Sequence, residues 1–568
     1  MMTSRLLRLG LAPALGLAVA YVAFAGPRRD VAAVSANDVT VGSGTLLPPN
    51  HEREVARLVA DHLEHFHYTD RPIDDTLSRQ WFDAFLDRLD YQRTVFLAED
   101  IASFEAYRES FDDIVDQRRP DLSAPVRMYT VLRQRLRSRL AYAQKLLNKG
   151  VNVKDRETFV ADRHEADAAW PANEREANEL WRKRLEDEFI GEMLGGDAED
   201  EVLDRLKKRY ETWERVLDQE ESADLVESWL GALTRTYDPH SEWFKPAKND
   251  DFDIDITNSV TGIGASLRNE EGETTIVDLI AGGPAEKDGR LGPEDVILAV
   301  GQGKRGEMVD VVGWRIDKVV RLIRGEVKTR VRLLVEHPDK GREEITIIRE
   351  LVTLEDSAAE HRLEEVRGRK LGVVELPSFY VAPDGSRRRA STDVRDALVE
   401  LNQQGAEGLV LDLRSNGGGS LLEAIDVTGL FITTGPVVQV RTRPGRIEAL
   451  HDRNPQVSWV KDMVVLIDET SASASEIVAG ALQDYGRALV VGAEQTHGKG
   501  TVQQVLQLTN RLSGKHAEPV GGALKLTIQK FYRVSGSSTQ NRGVVSDVVL
   551  PSRWQGVGRQ RAAQRRQA

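Results

Sequence analysis

The sequence predicts a multidomain α+β protein: a helical region, a small β-rich domain and an α/β core, in that order. Three observations carry this. Apolar residues recur at a helical period from residue 51 to about residue 244. From residue 254 to 350 they fall into short β-runs separated by glycine. Beyond residue 351 strands alternate with helices, the pattern of a largely parallel sheet covered by helices. A chain of 568 residues is long enough for several domains of about 100–200 residues each.

Residues 1–25 have the form of a secretory signal. Arg5 and Arg8 give a positive start, Leu9 to Ala25 is almost wholly apolar or small, and Ala23-Phe24-Ala25 is an A-x-A cleavage site that leaves Gly26 as the first mature residue. The competing reading is an uncleaved membrane anchor, since the run is about the shortest that spans a bilayer. Residues 26–50, polar and holding Pro27, Pro48 and Pro49, form a linker. The chain has no cysteine, which excludes thiol catalysis, cysteine metal sites and disulfides. A formal net charge of −14 argues against nucleic acid as a main partner.

The helical domain covers residues 51–250. Its first helix carries Val55, Leu58, Val59, Leu63 and Phe66, and its second Trp81, Phe82, Phe85, Leu86 and Leu89. Pro125 marks the start of a third, which Gly150 stops. Charged helices follow from about Asn173 to Met193 and from about Glu199 to Gln219. No catalytic constellation stands out. His62, His65 and His67 lack the H-E-x-x-H arrangement of a zinc helix, and a solvated helix end accounts for them.

Residues 254–350 form the β-rich domain. Thr261-Gly262-Ile263-Gly264-Ala265 opens it, Thr274 to Leu279 is a strand, Gly283-Pro284-Ala285 starts a short helix, and Asp317 to Arg324 is a second helix. This order, with its Gly-Ile-Gly-Ala loop, resembles a PDZ domain. The resemblance implies that Gly262, Ile263 and Gly264 capture a peptide's terminal carboxylate while the peptide adds to a sheet edge. A bare spacer is the other reading.

The core occupies residues 351–555, and residues 556–568 form a basic, polar tail whose composition predicts disorder. In the core, Leu409 to Leu413 is a strand that runs into Asn416-Gly417-Gly418-Gly419, and Met463 to Ile467 is a buried strand that runs into a serine-rich turn. Ser473 sits where that strand hands over to a helix, whose free N–H groups suit a developing oxyanion. Lys499 follows in His-Gly-Lys-Gly. We read Ser473 as a nucleophile and Lys499 as its base, a role open to a lysine whose pKa burial lowers. A triple glycine exposes backbone N–H groups without side chains in the way. A phosphate-binding loop at Gly492 to Lys499 fails, because five residues separate its glycines and Gly500 stands where Ser or Thr belongs.

Taken together, Asp412-Leu413-Arg414 with Asn416-Gly417-Gly418-Gly419, Ser471 to Glu476 (SASASE), Gly498 to Gln503 (GKGTVQ), Lys530-Phe531-Tyr532-Arg533 and Leu86 to Tyr91 (LDRLDY) resemble the carboxy-terminal processing peptidases, above all their tail-specific protease branch. The resemblance implies a ClpP/crotonase-like serine peptidase core and a periplasmic endopeptidase with a Ser–Lys dyad. Its PDZ domain would read apolar C-terminal tails of protein substrates and gate the site. Gln503 would orient the lysine, and the N–H groups of Ala474 and Gly419 would form the oxyanion hole. Asp484 matches an aspartate sometimes counted with the site, read here as structural. No cofactor, metal or nucleotide is implied; a lipoprotein adaptor is. The sequence departs from the pattern in an interval of 26 residues between serine and lysine, one more than usual, and in His497, where an aromatic is expected. The alternative function is a peptide-binding scaffold that has lost catalysis.

Overall fold

The computed structural model describes residues 46–551, apart from 152, 154–158, 161, 166, 271, 355–357, 382–388, 444 and 509–520. The predicted signal, most of the linker and the basic tail lie outside the described residues.

The helical domain comprises α1 (Asn50–Phe66), α2 (Asp75–Asp90), α3 (Ala98–Phe104), α4 (Phe111–Asp116), α5 (Ser123–Lys149), α6 (Glu174–Met193), α7 (Glu199–Asp218) and α8 (Ser222–Tyr237). Their apolar stripes converge, as the helical period demands. Val55, Val59 and Leu63 of α1 and Trp81, Phe82 and Phe85 of α2 are fully buried. Trp81 stacks on Trp229 of α8 with ring centroids 4.4 Å apart, and its Nε1–H donates to the Trp229 carbonyl at 2.8 Å. The Asp74 carboxylate caps α2 by accepting from the Leu77 N–H at 2.9 Å. His67 corrects the sequence reading of a solvated helix end. It is buried just past α1, with Nε2 2.5 Å from the Asp238 carboxylate.

The end of this region also differs from expectation. Glu242–Phe244 is not helical but a strand, β1, and α9 (Pro246–Thr257) then continues past residue 251, where the sequence texture turns β-like. Pro246 starts that helix, and Asn258 in the left-handed region (φ 52°) stops it.

The PDZ-like domain follows: β2 (Ser259–Gly262), β3 (Ala265–Glu270), β4 (Glu273–Leu279), α10 (Pro284–Asp288), β5 (Val296–Gln302), β6 (Met308–Asp310), α11 (Ile316–Ile323), β7 (Arg330–His337), β8 (Gly341–Ile348) and β9 (Glu350–Thr353). The main sheet runs β3-β4-β5-β7-β8, with β6 on β5; β2 pairs with β9. β3 is therefore an edge strand. Its Ala265 and Leu267 pack on the same core as Val319 and Ile323 of α11.

The core contains β10 (Glu360–Val366), β11 (Arg369–Glu375), α12 (Ala390–Gln403), β12 (Gly408–Asp412), α13 (Leu421–Gly429), β13 (Gly435–Thr442), β14 (Ile447–Asp452), β15 (Met463–Ile467), α14 (Ala474–Asp484), β16 (Leu489–Gly492), β17 (Thr501–Gln507), β18 (Ala523–Tyr532) and β19 (Val548–Val549). One sheet runs β10-β11-β12-β15-β16-β19, parallel except for the β10–β11 hairpin. A second, antiparallel sheet runs β1-β18-β13-β14, with β17 also on β18. Helix α14 touches strands of both sheets.

In the second sheet, Leu524, Leu526 and Ile528 of β18 alternate with polar residues, as a strand with one buried face does. Leu524 and Leu526 are buried in the core of the helical domain beside Trp243, and Ile528 packs against it. Strand β1 sews the two domains together, with Trp243 opposite Leu524. The opposite face of β18 carries Lys525 and Thr527, and Lys525 lines a cleft.

Candidate active site

That cleft has a volume of about 940 Å³ and is bounded by Ser473, Ala474, Gly417 to Gly419, Lys499, Gln503 and Lys525. Two loops at the carboxyl ends of β12 and β15 build one wall, where ligands bind in open α/β sheets. They are stitched to each other. Asp468 accepts from the N–H groups of Ser415, Thr470 and Ser471 at 2.9 Å. Asn416, fully buried, donates to the Leu376 carbonyl at 2.8 Å and accepts from the Gly418 N–H at 2.9 Å. The Asn416 carbonyl in turn accepts from the Ala472 N–H at 3.0 Å and the Ser475 hydroxyl at 2.9 Å.

Ser473 is held at φ 57°, ψ −110°, a conformation that costs a non-glycine residue on the order of 1–3 kcal/mol. The turn aims its side chain into the cleft at the N-terminus of α14. Among the described residues neither the Ala474 nor the Gly419 N–H donates a hydrogen bond. Gly418 adopts φ 113°, and a Cβ there would stand 2.8 Å from Ser473 Cβ and 3.2 Å from the Ala474 nitrogen. Only glycine lets the loop approach this closely.

Lys499 enters the same cleft from the loop between β16 and β17. Backbone bonds hold that loop: Ala493 N–H to Ile467 O (3.2 Å), Thr496 N–H to Val544 O (3.1 Å) and His497 N–H to Ser471 O (3.0 Å). The segment at residues 539–541 clamps it from outside. Thr539 Oγ1 donates to the Lys499 carbonyl at 2.8 Å, and Asn541 N–H to the Gly498 carbonyl at 2.8 Å. Burial, reinforced by the nearby Lys525 charge, lowers the Lys499 ammonium to about 8.

Sequence reasoning missed the residue that joins these parts. Glu476 of α14 is fully buried. One carboxylate oxygen accepts from Ser473 N–H (2.8 Å) and Lys499 N–H (3.0 Å); the other accepts from Gly498 N–H (2.7 Å) and Thr496 Oγ1 (2.7 Å). Burial raises its carboxyl and the four donors oppose that rise. The signal was present as Ser-Ala-Ser-Glu, the S-x-x-E form of a capping box, but that pattern foretells only a local helix cap. The second half of its role is long-range.

The remaining expected site residues are placed as follows. Gln503, after a bulge in β17, donates its amide to Thr501 Oγ1 (2.9 Å) and Thr527 Oγ1 (3.1 Å). No hydrogen bond joins its side chain to Lys499, nor Lys499 to Ser473, among the described residues. Asp484 ends α14 away from the cleft lining, in a bidentate pair with Arg533 (2.7 and 3.1 Å) and a bond from Ser535 Oγ (3.1 Å). Gly262, Ile263 and Gly264 also lie outside the cleft. Gly262 ends β2, Ile263 is buried, and Gly264 (φ 73°) turns the chain into β3. Among the described residues no group of three or more His, Cys, Asp or Glu is arranged to hold a metal ion.

The chain matches the family Tail specific protease N-terminal domain over residues 59–247, the PDZ domain over 253–336 and Peptidase family S41 over 370–550. It is 39% identical over 491 residues to the tail-specific protease of Haemophilus influenzae, covering 86% of this chain and 68% of that one. It is 31% identical over 352 residues to the carboxy-terminal processing protease CtpA of Bacillus subtilis, covering 61% and 69%. The solved PDZ domain of a carboxy-terminal protease from Vibrio cholerae, in complex with peptide, is 45% identical, covering 17% of this chain and 99% of that one, with a TM-score of 0.16. These matches define a serine-type endopeptidase that carries a PDZ domain and acts on peptides or proteins. The chain belongs to peptidase family S41, in its tail-specific protease branch.

Proposed function

We propose that Ser473 and Lys499 form the catalytic dyad of this endopeptidase. The observation that carries the reading is that one buried carboxylate, Glu476, holds the backbone of both residues at the rim of one cleft. Lys499, uncharged once its lowered pKa is passed, takes the proton from Ser473 Oγ as that oxygen bonds to the substrate carbonyl carbon. The N–H groups of Ala474 and Gly419 donate to the oxyanion. Lys499 then gives the proton to the leaving amine as the C–N bond breaks. Water, deprotonated by Lys499, cleaves the acyl-enzyme, and the proton returns to Ser473. The separation of the two side chains in the free enzyme fits a site whose hydrogen bonds tighten on substrate binding.

Substrate choice falls to the PDZ domain. An extended tail adds to the edge of β3, its last residue enters the apolar space between β3 and α11, and Gly262, Ile263 and Gly264 capture the carboxylate. The apolar core shared by Ala265, Leu267, Val319 and Ile323 supports an apolar tail. Export to a periplasm, supported by Arg5, Arg8 and the A-x-A site at residues 23–25, places the enzyme among exported substrates. An adaptor lipoprotein is supported by the family resemblance alone.

The test uses one protein substrate with either an apolar or an acidic C-terminal tail. Ser473→Ala and Lys499→Ala abolish cleavage of the apolar-tailed form and leave its binding intact. A wild-type enzyme that binds tails and never cleaves them returns the chain to the scaffold reading.

A further inference from the structure

Thr527 of β18 is held at three points by the helical domain. Its N–H donates to Ser241 Oγ (3.1 Å), its carbonyl accepts from Tyr68 N–H (2.9 Å) and its hydroxyl donates to Asp238 Oδ1 (3.2 Å). Asp238, just past α8, is the anchor. It also accepts from His240 N–H (2.6 Å), Ser241 Oγ (2.6 Å) and His67 Nε2 (2.5 Å). The Thr69 N–H donates to His67 Nδ1 at 3.0 Å, so the ring proton sits on Nε2 and is given to Asp238. Burial alone would raise the Asp238 carboxyl, but the bonds from His67, Ser241 and the His240 N–H outweigh it and hold the group at about 2. Asp238 is therefore an ionised, acceptor-only group.

This sets the direction of a hydrogen-bond chain. A hydroxyl that gives its one proton to a carboxylate has only lone pairs left. Gln503, directly opposite Thr527 in the β17–β18 ladder, must then turn its nitrogen toward Thr527, as it does at 3.1 Å. Thr501 Oγ1 takes the other amide proton at 2.9 Å. Both amide protons are spent away from the lysine, and Oε1 remains as the acceptor end.

We propose that Asp238 is a positioning residue for the peptidase reaction: acting through Thr527, it fixes the sense of the Gln503 amide so that Oε1, and not Nε2, is offered to Lys499. The helical domain thereby takes part in the chemistry as well as in packing. The inference rests on the Ser473–Lys499 reading above. It goes beyond that reading by assigning a role to Asp238, a residue of the helical domain far upstream of both the nucleophile and the base.

The charged and titratable groups facing Lys499 are Lys525 from β18, Glu476 from α14, and Asp238 and His240 from the segment after α8; His240 also faces Asp238, Lys525 and His497. Asp238→Asn alters charge as well as direction, so Thr527→Val, neutral for neutral, is the principal variant. It should lower kcat about tenfold to a hundredfold with KM within about threefold, the scale of one lost hydrogen bond to a charged group. The acid limb of the kcat–pH profile should move to lower pH, because the ammonium form of Lys499 loses an acceptor. Thr527→Ser should restore both. In a Gln503→Ala background, Thr527→Val should cost nothing further. Equal losses with and without Gln503, or a loss that follows the melting temperature while the pH limb stays fixed, overturn the proposal. If Ser473→Ala and Lys499→Ala are inert while Thr527→Val equals wild type, this inference alone fails. If Ser473→Ala still cleaves, the dyad reading fails and takes the proposal with it.

Discussion

Replacing Glu476 by glutamine removes one charge and converts one acceptor oxygen into a donor, with almost no change in shape. The carboxylate accepts four bonds, two at each oxygen. With the new NH2 on the side of Ser473 and Lys499, two backbone N–H groups face a donor. With it on the other side, only Gly498 N–H is orphaned, because Thr496 Oγ1 has lone pairs to offer. The glutamine adopts the second orientation. One buried orphan costs about 1–3 kcal/mol, and the two bonds that remain lose about 1 kcal/mol each as their acceptor becomes neutral. Relief from burying a charge offsets part of this, so the net loss of stability is about 1–3 kcal/mol, read from urea unfolding. The catalytic loss is larger in proportion. Gly498 precedes the base, and its displacement moves Lys499 relative to Ser473. A shift approaching 1 Å lowers kcat about a hundredfold. The assay is steady-state cleavage of an apolar-tailed substrate alongside the unfolding curve. A glutamine variant within about twofold of wild type in kcat would refute the idea that Glu476 sets the spacing of the dyad.

Other expected outcomes follow from the same geometry. The rate should rise with pH along a limb centred near 8, as Lys499 loses its proton, and level off above it; a pH-independent rate between 6 and 9 contradicts a lysine base. Linkage adds a second signature. The unfolded chain holds this proton more tightly than the fold does, so the Lys499 contribution makes the enzyme more stable as pH rises from about 8 to about 10.5. Lys499→Met should abolish that rise, and at pH 7 the inactive variant should be more stable than wild type by up to about 3 kcal/mol. Gly418→Ala should cost at least about a hundredfold in kcat, since its Cβ would stand 2.8 Å from Ser473 Cβ, and Ser473 labelling by a small phosphonate should slow with it. Asp484→Ala strips a partly buried Arg533 of its bidentate partner and should destabilise the fold by about 3 kcal/mol in urea unfolding.

Much of the fold was legible because local periodicity and local chemistry agree. The strand at Met463–Ile467 falls where the sequence placed it, since a run of Met-Val-Val-Leu-Ile between turn residues leaves little choice. The helix after Ser473 and the helices that begin near residues 50, 123 and 199 start within about two residues of their signals, a margin set by fraying and cap geometry. What was not legible depends on partners far away in the chain. Glu242–Phe244 lies at the end of a helical stretch and becomes a strand only because β18 offers it an edge. His67 has the local sequence of a solvated helix end and is buried because Asp238, 171 residues later, packs against it.

For the site, the sequence by itself determined the chemical inventory: a serine at a strand-to-helix turn, a lysine between glycines and a loop of three glycines. These are decisions of residue type and φ/ψ, which neighbours in the chain dictate. Only the tertiary structure decided how that inventory is held. Glu476 reaches Lys499, 23 residues further on, and ties it to Ser473, and the Asp238–Thr527–Gln503 chain reaches the cleft from another domain. Directional hydrogen bonds over such separations leave no periodic trace. They depend on where folding brings a donor and an acceptor within about 3 Å, and a linear pattern does not encode that distance.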